Sequence, residues 1–440
     1  MASIGLAVVA IASAGCGGGR AASGEVVVAP ASGMFDAPVH MVVSGAGSRR
    51  IVAVSVRSVD GGGTAFNAEA SFRSDAAGKI DLATAPATGG SYQGVDPMGL
   101  IEAMRPASGA VARYDWRGGP HRFEVTVSVG GSRIASTEFV RRWLAPGVAA
   151  HEESIAATGF YGQFWTPPAG GSRRAAVLEF GGSEGGLHGQ LIAAALAAAG
   201  YPTLDIAYFA APGLPPTLTK IPLEYFAHAL RWLAAQPGVL KDQIYVMGGS
   251  RGSEAALLLG AHYPALVHGV IASSPSDLSF GSYPRRGSAA WTLHGRPVPY
   301  STSRVDLGPV DDPAAEIPVQ RIRGPVFLDC GTEDQTWSSC AYAVRIENQL
   351  NAARFPYRHV LYRYQGAGHH VNTLVPYEPG DAFADLTEPL GQGNTLPANA
   401  NAHARLWPRL LSFLAHPAAQ KGVITAPSTP PPLTPGSASS

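Results

Sequence analysis

The stretch from Ile244 to Glu254 constrains this chain more than any other. Ile244 to Met247 is an apolar run of buried-strand length, and Ala255 to Gly260 reads as a helix. Between them lies Gly248-Gly249-Ser250-Arg251-Gly252, a G-x-S-x-G turn. A turn this sharp strains the serine's backbone and leaves no room for side chains on either flank. Gly248 and Gly252 supply that room. Ser250 then projects from the C-terminal edge of a sheet with a helix starting beneath it. The backbone N–H of Arg251 points to where an oxyanion would form.

The surrounding pattern is of one kind. Ala176–Phe180, Pro202–Tyr208, Gly269–Ala272, Pro325–Asp329 and Arg358–Arg363 read as buried strands. Leu187–Ala199, Leu223–Ala235 and Ala402–Ala415 read as helices. Alternation of this type predicts a mostly parallel sheet covered on both faces. Val39 to Val140 behaves differently. Val52, Val54 and Val56 alternate with Ser55 and Arg57, and Phe123, Val125, Val127 and Val129 with Thr126 and Ser128. Period-two runs broken by turns such as Gly61–Gly63 predict a small immunoglobulin-like β-sandwich. Arg141–Gly147 marks the change. The expected fold class is therefore α/β, with a small all-β sandwich ahead of the parallel sheet. The expected segments are 1–33 as leader and tether, 34–147 as sandwich, 148–416 as catalytic domain and 417–440 as a disordered Pro/Ser/Thr-rich tail. Ser279 to Arg323 is a long connection without periodicity, read as a cap over the serine or as a surface excursion. Its Arg285, Arg286, Arg296 and Arg304 are candidates for an anionic substrate group or for plain solvation.

Lys+Arg and Asp+Glu balance at 32 each, which argues against a nucleic-acid partner. Gly181–Gly186 reads G-G-S-E-G-G, which is not a nucleotide loop, and no metal-ligand spacing occurs; no cofactor and no metal are expected. Ile4 to Ala12 is too short to span a bilayer and fits a signal-peptide core. Ser13-Ala14-Gly15-Cys16 resembles a lipoprotein cleavage box, with Cys16 as the lipid-bearing residue. The expectation is an extracytoplasmic protein whose contact with membrane runs only through that lipid; a cytoplasmic protein is the other reading. The pattern leaves the oligomeric state open.

A serine nucleophile needs a general base and an orienting acid, in the chain order Ser, acid, His. The acid loop after Pro325–Asp329 holds Asp334 at the end of a G-x-x-D turn, with Glu333 as competitor. The strand Arg358–Arg363 leads to Gly366-Ala367-Gly368-His369-His370, where His369 follows the bend; His370 and the remote His188 are rivals. The candidate triad is Ser250, Asp334 and His369. Gly182 or Ser183 joins Arg251 in the oxyanion hole, and Glu184 is read as structural. Cys330 ends the strand before the acid loop, and Cys340 starts the next helix. In an oxidising compartment they would pair and brace that loop; otherwise they are two buried thiols.

These residues resemble the family of acyl-CoA thioesterases and bile acid-CoA:amino acid N-acyltransferases, from about Asp36 to His416. The matching pieces are Asp36–Val39, Gly90-Ser-Tyr-Gln-Gly-Val-Asp-Pro-Met-Gly-Leu100, Trp143–Val148, Phe180–Gly182, Pro222–Phe226, Gly249–Gly252, Gly331–Trp337 and Gly368–His369. The Gly94–Leu100 run is the most specific. The family's elbow usually reads Ser-Lys-Gly; here it is Ser250-Arg251-Gly252. The resemblance implies an α/β-hydrolase fold and a partner that is a small molecule, acyl-CoA or another acyl ester. It places the triad on Ser250, Asp334 and His369. A serine rather than a cysteine nucleophile implies hydrolysis. An exported esterase or lipase-like enzyme, or an amino acid N-acyltransferase, is the alternative.

Overall fold

The structure is a computed structural model that describes residues 24–110, 112–303, 308–381 and 398–416. The expected lipid-bearing Cys16, residue Arg304 and the tail 417–440 lie outside the described residues.

The first region is all-β. A three-stranded sheet (Glu25–Ala29, His40–Ser44, Ile80–Asp81) accompanies a seven-stranded one. The long strands of the latter, Ile51–Val59, Ala65–Arg73, His121–Val129 and Ser132–Arg142, pair antiparallel in succession. Alternation decides which face is inside: Val52, Val54, Val56, Phe123, Val125 and Val127 are all fully buried. Val26, Val28, Met41 and Val43 from the smaller sheet enter the same core.

The larger sheet has eight strands, numbered here along the chain. They are β1 (Ala149–Glu153), β2 (Tyr161–Thr166), β3 (Arg174–Phe180), β4 (Thr203–Ala207), β5 (Val239–Gly249), β6 (Gly269–Ser273), β7 (Val326–Gly331) and β8 (His359–Tyr364). Their spatial order is β1-β2-β4-β3-β5-β6-β7-β8. From β4 to β8 every pairing is parallel, whereas β1 and β2 join antiparallel. The sheet is thus mixed but largely parallel, as the continuous buried runs of β3 (after Arg174), β4, β6 and β7 require. The helices are α1 (Gln190–Ala198), α2 (Leu223–Ala234), α3 (Arg251–His262), α4 (Ser339–Ala352) and α5 (Ala398–Ala415).

The connection after β6 is better ordered than its sequence suggests. Trp291–Leu293 pairs with Ile221–Pro222 and with Arg296–Pro297 in a small sheet, and Phe280, Trp291 and Ser301 are buried. Arg285 and Arg296 are exposed, and Arg286 donates to the Ser303 carbonyl at 3.1 Å.

Candidate active site

β5 runs straight into α3, and Ser250 sits at the junction with φ 54° and ψ −123°. That left-handed φ is the strain the turn implies. A side chain on Gly248 would strike the Gly252 carbonyl, and one on Gly252 would strike the Gly181 carbonyl. The backbone secures the serine: Ser250 N donates to the Ser273 carbonyl at 3.0 Å, and Ser253 N to the Ser250 carbonyl at 2.9 Å.

Asp334 and His369 meet. The Asp334 carboxylate accepts from His369 Nδ1 at 2.8 Å and from Ser339 Oγ at 2.5 Å on the same oxygen. Its other oxygen accepts the backbone N–H groups of Thr336 and Trp337 at 3.0 and 3.2 Å. Both side chains are nearly enclosed, 2% and 8% exposed, so the pair is shielded from water. The Trp337 ring stands edge-on to His369, and its Nε1 donates to the Ser274 carbonyl at 3.0 Å. Ser274 Oγ in turn donates to the His369 carbonyl at 2.8 Å. The end of β6 therefore touches both corners: Ser273 accepts from Ser250, and Ser274 donates to His369. A Cβ on Gly249 would lie 3.1 Å from Cβ of Asn372, so the serine turn and the histidine loop abut.

The rivals fall elsewhere. Glu333 and His188 are exposed. His370 turns toward Arg113 of the all-β region, with Nδ1 3.0 Å from the guanidinium. Burial first, then the charge of Arg113, brings its pKa down to about 2. One expectation needs correction. The Gly182 N–H is donated to Glu184 Oε1 at 2.6 Å, because Glu184 folds back over its own turn; that amide is committed. Tyr208 fixes the same turn by donating to the Gly182 carbonyl at 2.6 Å. Ser183 and Arg251 remain as the candidate backbone donors for an oxyanion. Arg251 opens α3, so its N–H has no helical acceptor one turn back.

The Arg251 side chain points away from this duty. It pairs with Glu254 at 2.7 Å and donates to the carbonyls of Phe280 and Gly281 at 2.9 and 3.0 Å. Glu254 also accepts from Trp291 Nε1 at 2.9 Å and Phe280 N at 3.2 Å. Cys330 and Cys340 are disulfide-bonded, Cα atoms 5.2 Å apart, and bracket the loop that carries Asp334.

Profiles of one family match most of this architecture. The acyl-CoA thioester hydrolase/BAAT N-terminal region matches residues 36–154, and the BAAT/acyl-CoA thioester hydrolase C-terminal region matches 221–284 and 300–419. Mouse acyl-coenzyme A thioesterase 3 is 30% identical over 415 residues, covering 88% of this chain and 93% of its own. The chain belongs to this family. Mouse peroxisomal succinyl-coenzyme A thioesterase is 28% identical over 408 residues (86% of this chain, 93% of its own). Mouse bile acid-CoA:amino acid N-acyltransferase is 26% identical over 423 residues (89% of this chain, 97% of its own).

Membership corrects the expected location. An extracytoplasmic, lipid-anchored protein does not fit a family in which a relative spanning most of this chain is named peroxisomal. The expectation rested on a short apolar run with no basic residue ahead of it and on the Ser13-Ala14-Gly15-Cys16 box. Among the described residues no helix is long and apolar enough to cross a membrane.

Several residues of the family fold at this site escaped the sequence reading: Ser274, Ser339, Tyr208, Asn399, His403 and Asp381. All but Ser339, which bonds Asp334 five residues back, act on a residue distant in sequence. The one local signal was Asn399 and His403, two polar residues four apart on the otherwise apolar face of α5.

Proposed function

We propose that this chain cleaves acyl-CoA thioesters or other acyl esters through an acyl-enzyme on Ser250, with His369 as base and Asp334 as orienting acid. The observation that carries the reading is the His369 Nδ1–Asp334 hydrogen bond at 2.8 Å beside a serine on a strained strand-to-helix turn. With Nδ1–H donated to Asp334, Nε2 is the nitrogen left to accept the Ser250 proton. The oxyanion that forms when Ser250 Oγ attacks takes the N–H groups of Arg251 and Ser183. The imidazolium then returns its proton to the leaving thiolate or alkoxide. A second nucleophile, activated by the same base, releases the acyl group.

Water is the acceptor that a serine ester favours, because an oxygen ester is less activated toward amines than a thioester. Transfer to an amino acid is the second reading. Similarity over 97% of the length of an amino acid N-acyltransferase favours it. The all-β sheets are proposed to form an immunoglobulin-like sandwich ending near residue 147, a reading their shared core supports.

Turnover of acyl-CoA, p-nitrophenyl esters and peptides, each with and without glycine or taurine, tests the reading. Ser250→Ala is expected to keep the fold and lose at least about a hundredfold in rate, and a fluorophosphonate is expected to label Ser250. Labelling elsewhere, or an active Ser250→Ala, would overturn the assignment.

A further inference from the structure

Buried polar groups gather behind His369, and α5 supplies two of them. Asn399 Oδ1 accepts the Gly368 N–H at 2.8 Å. His403 Nε2 lies 2.8 Å from the His370 carbonyl and 3.0 Å from Thr373 Oγ1. The residues before and after His369 are thus each held through a backbone group by one helix, one turn apart. Both side chains are fully buried. On its other edge the His403 ring meets Asp381, with Nδ1 2.9 Å from Oδ2. The ring faces an acceptor on each nitrogen, a carboxylate and a carbonyl, which is the arrangement of an imidazolium donating twice. Burial opposes that charge; Asp381 and the His370 carbonyl outweigh it and hold the His403 pKa above the usual imidazole value. Among the described residues, Glu102, Glu378, Asp329, Arg113 and His370 are further titratable groups coupled to this cluster.

A buried ion pair is a costly way to fill space, since apolar residues would do so at least as well. Here it does something apolar residues could not: it supplies a donor to a carbonyl in a short, irregular loop. The loop carries one residue of the proposed chemistry, and displacing a catalytic group by about 1 Å can lower a rate about a hundredfold.

We propose that Asn399 and His403, the latter oriented by Asp381, are positioning residues that hold His369 in line with Ser250. This rests on the proposed triad. The all-β region reaches the same loop through Arg113 on His370, 3.0 Å apart.

Two pairs of variants test it. In His403→Gln the amide nitrogen falls near the place of Nε2 and keeps a donor for the His370 carbonyl. In His403→Asn it falls near Nδ1 and keeps only the Asp381 contact. Both remove the charge, so charge alone cannot separate them. His403→Asn is expected to lower kcat for a p-nitrophenyl ester, and the rate of fluorophosphonate labelling at Ser250, by about tenfold or more with KM within about twofold. His403→Gln is expected to recover most of that loss. Asn399→Ala should fall in the same way and Asn399→Asp, which keeps the acceptor, should recover, so misfolding at one position leaves the other pair to decide. Equal rates for Gln and Asn at 403 in variants that keep the wild-type fold, whether both high or both low, overturn the positioning role while labelling of the wild type at Ser250 upholds the triad. A wild type that labels away from Ser250 brings down the triad and this role together.

Discussion

The two corners of the site are held in opposite ways. Ser250 is fixed almost wholly by backbone: a strand, two glycines, a helix start and a hydrogen bond to Ser273. His369 sits in a short loop whose order comes from side chains far away in the chain, namely Ser274, Asp334, Asn399 and His403. The serine corner is a property of a few consecutive residues. The histidine corner exists only once β6, β7 and α5 have come together. Replacing the Ser250 side chain should therefore act on chemistry alone, and substitutions around the second should act on chemistry and stability together.

Asp334→Asn puts the sharpest strain on that contrast. An amide in place of the carboxylate no longer selects the Nδ1–H tautomer, and kcat is expected to fall about 10³- to 10⁴-fold, measured by ester hydrolysis. A fall below about tenfold would mean that His369 is oriented without Asp334. The disulfide comes next. Cys340→Ser opens the bracket around the Asp334 loop and is expected to cost ~2–3 kcal/mol in a denaturant titration. The loss in kcat should be smaller than for Asp334→Asn, because Ser339 Oγ and two backbone N–H groups still hold the carboxylate.

An effect on stability alone, graded by pH, concerns the ground common to both corners. Asp329 lies wholly buried at the end of β7 and accepts from Ser273 Oγ at 2.6 Å, the residue whose carbonyl accepts from Ser250. Burial raises its pKa from 3.8 to about 8, the Ser273 hydrogen bond opposing that shift. The folded state thus keeps a proton that the unfolded chain has released. The stability this represents is complete below pH 3.8 and is lost as pH rises through about 8. Asp329→Asn is expected to match the wild type in Tm at acid pH and to gain on it steadily toward pH 8. Parallel Tm curves across that range would show that Asp329 does not titrate there.

The contrast also explains what could be read from the sequence. The elbow was legible because its cause is local, down to the glycines that the turn requires. The strands β3 to β8 were legible as apolar runs, although β5 begins at Val239, ahead of Lys241 and Asp242, whose charges hide its start. The strands β1 and β2, at one end of the sheet, were not. Ala149–Glu153 is polar and exposed, and Gly162 interrupts Tyr161–Thr166. Ser279–Arg323 has no period because aromatic burial and contacts to α3 order it, rather than a repeating face. Asn399 lies ahead of the expected helix 402–415, and His403 is a polar residue on its buried face. Their partners lie tens of residues away, and only the folded chain supplies them.

The Arg251–Glu254 pair reaches beyond the elbow. It ties the helix that presents Ser250 to Phe280, Gly281 and Trp291 in the connection after β6. That connection is not an appendage that can drift freely over generations. An insertion or exchange near Phe280 or Trp291 leaves a buried carboxylate and guanidinium unmatched directly under Ser250. Diversification is then confined to the exposed rim, around Tyr283 to Gly287 and His294 to Pro297, where side chains can change without disturbing the serine. In a directed-evolution library, substitutions that survive selection should concentrate in that rim.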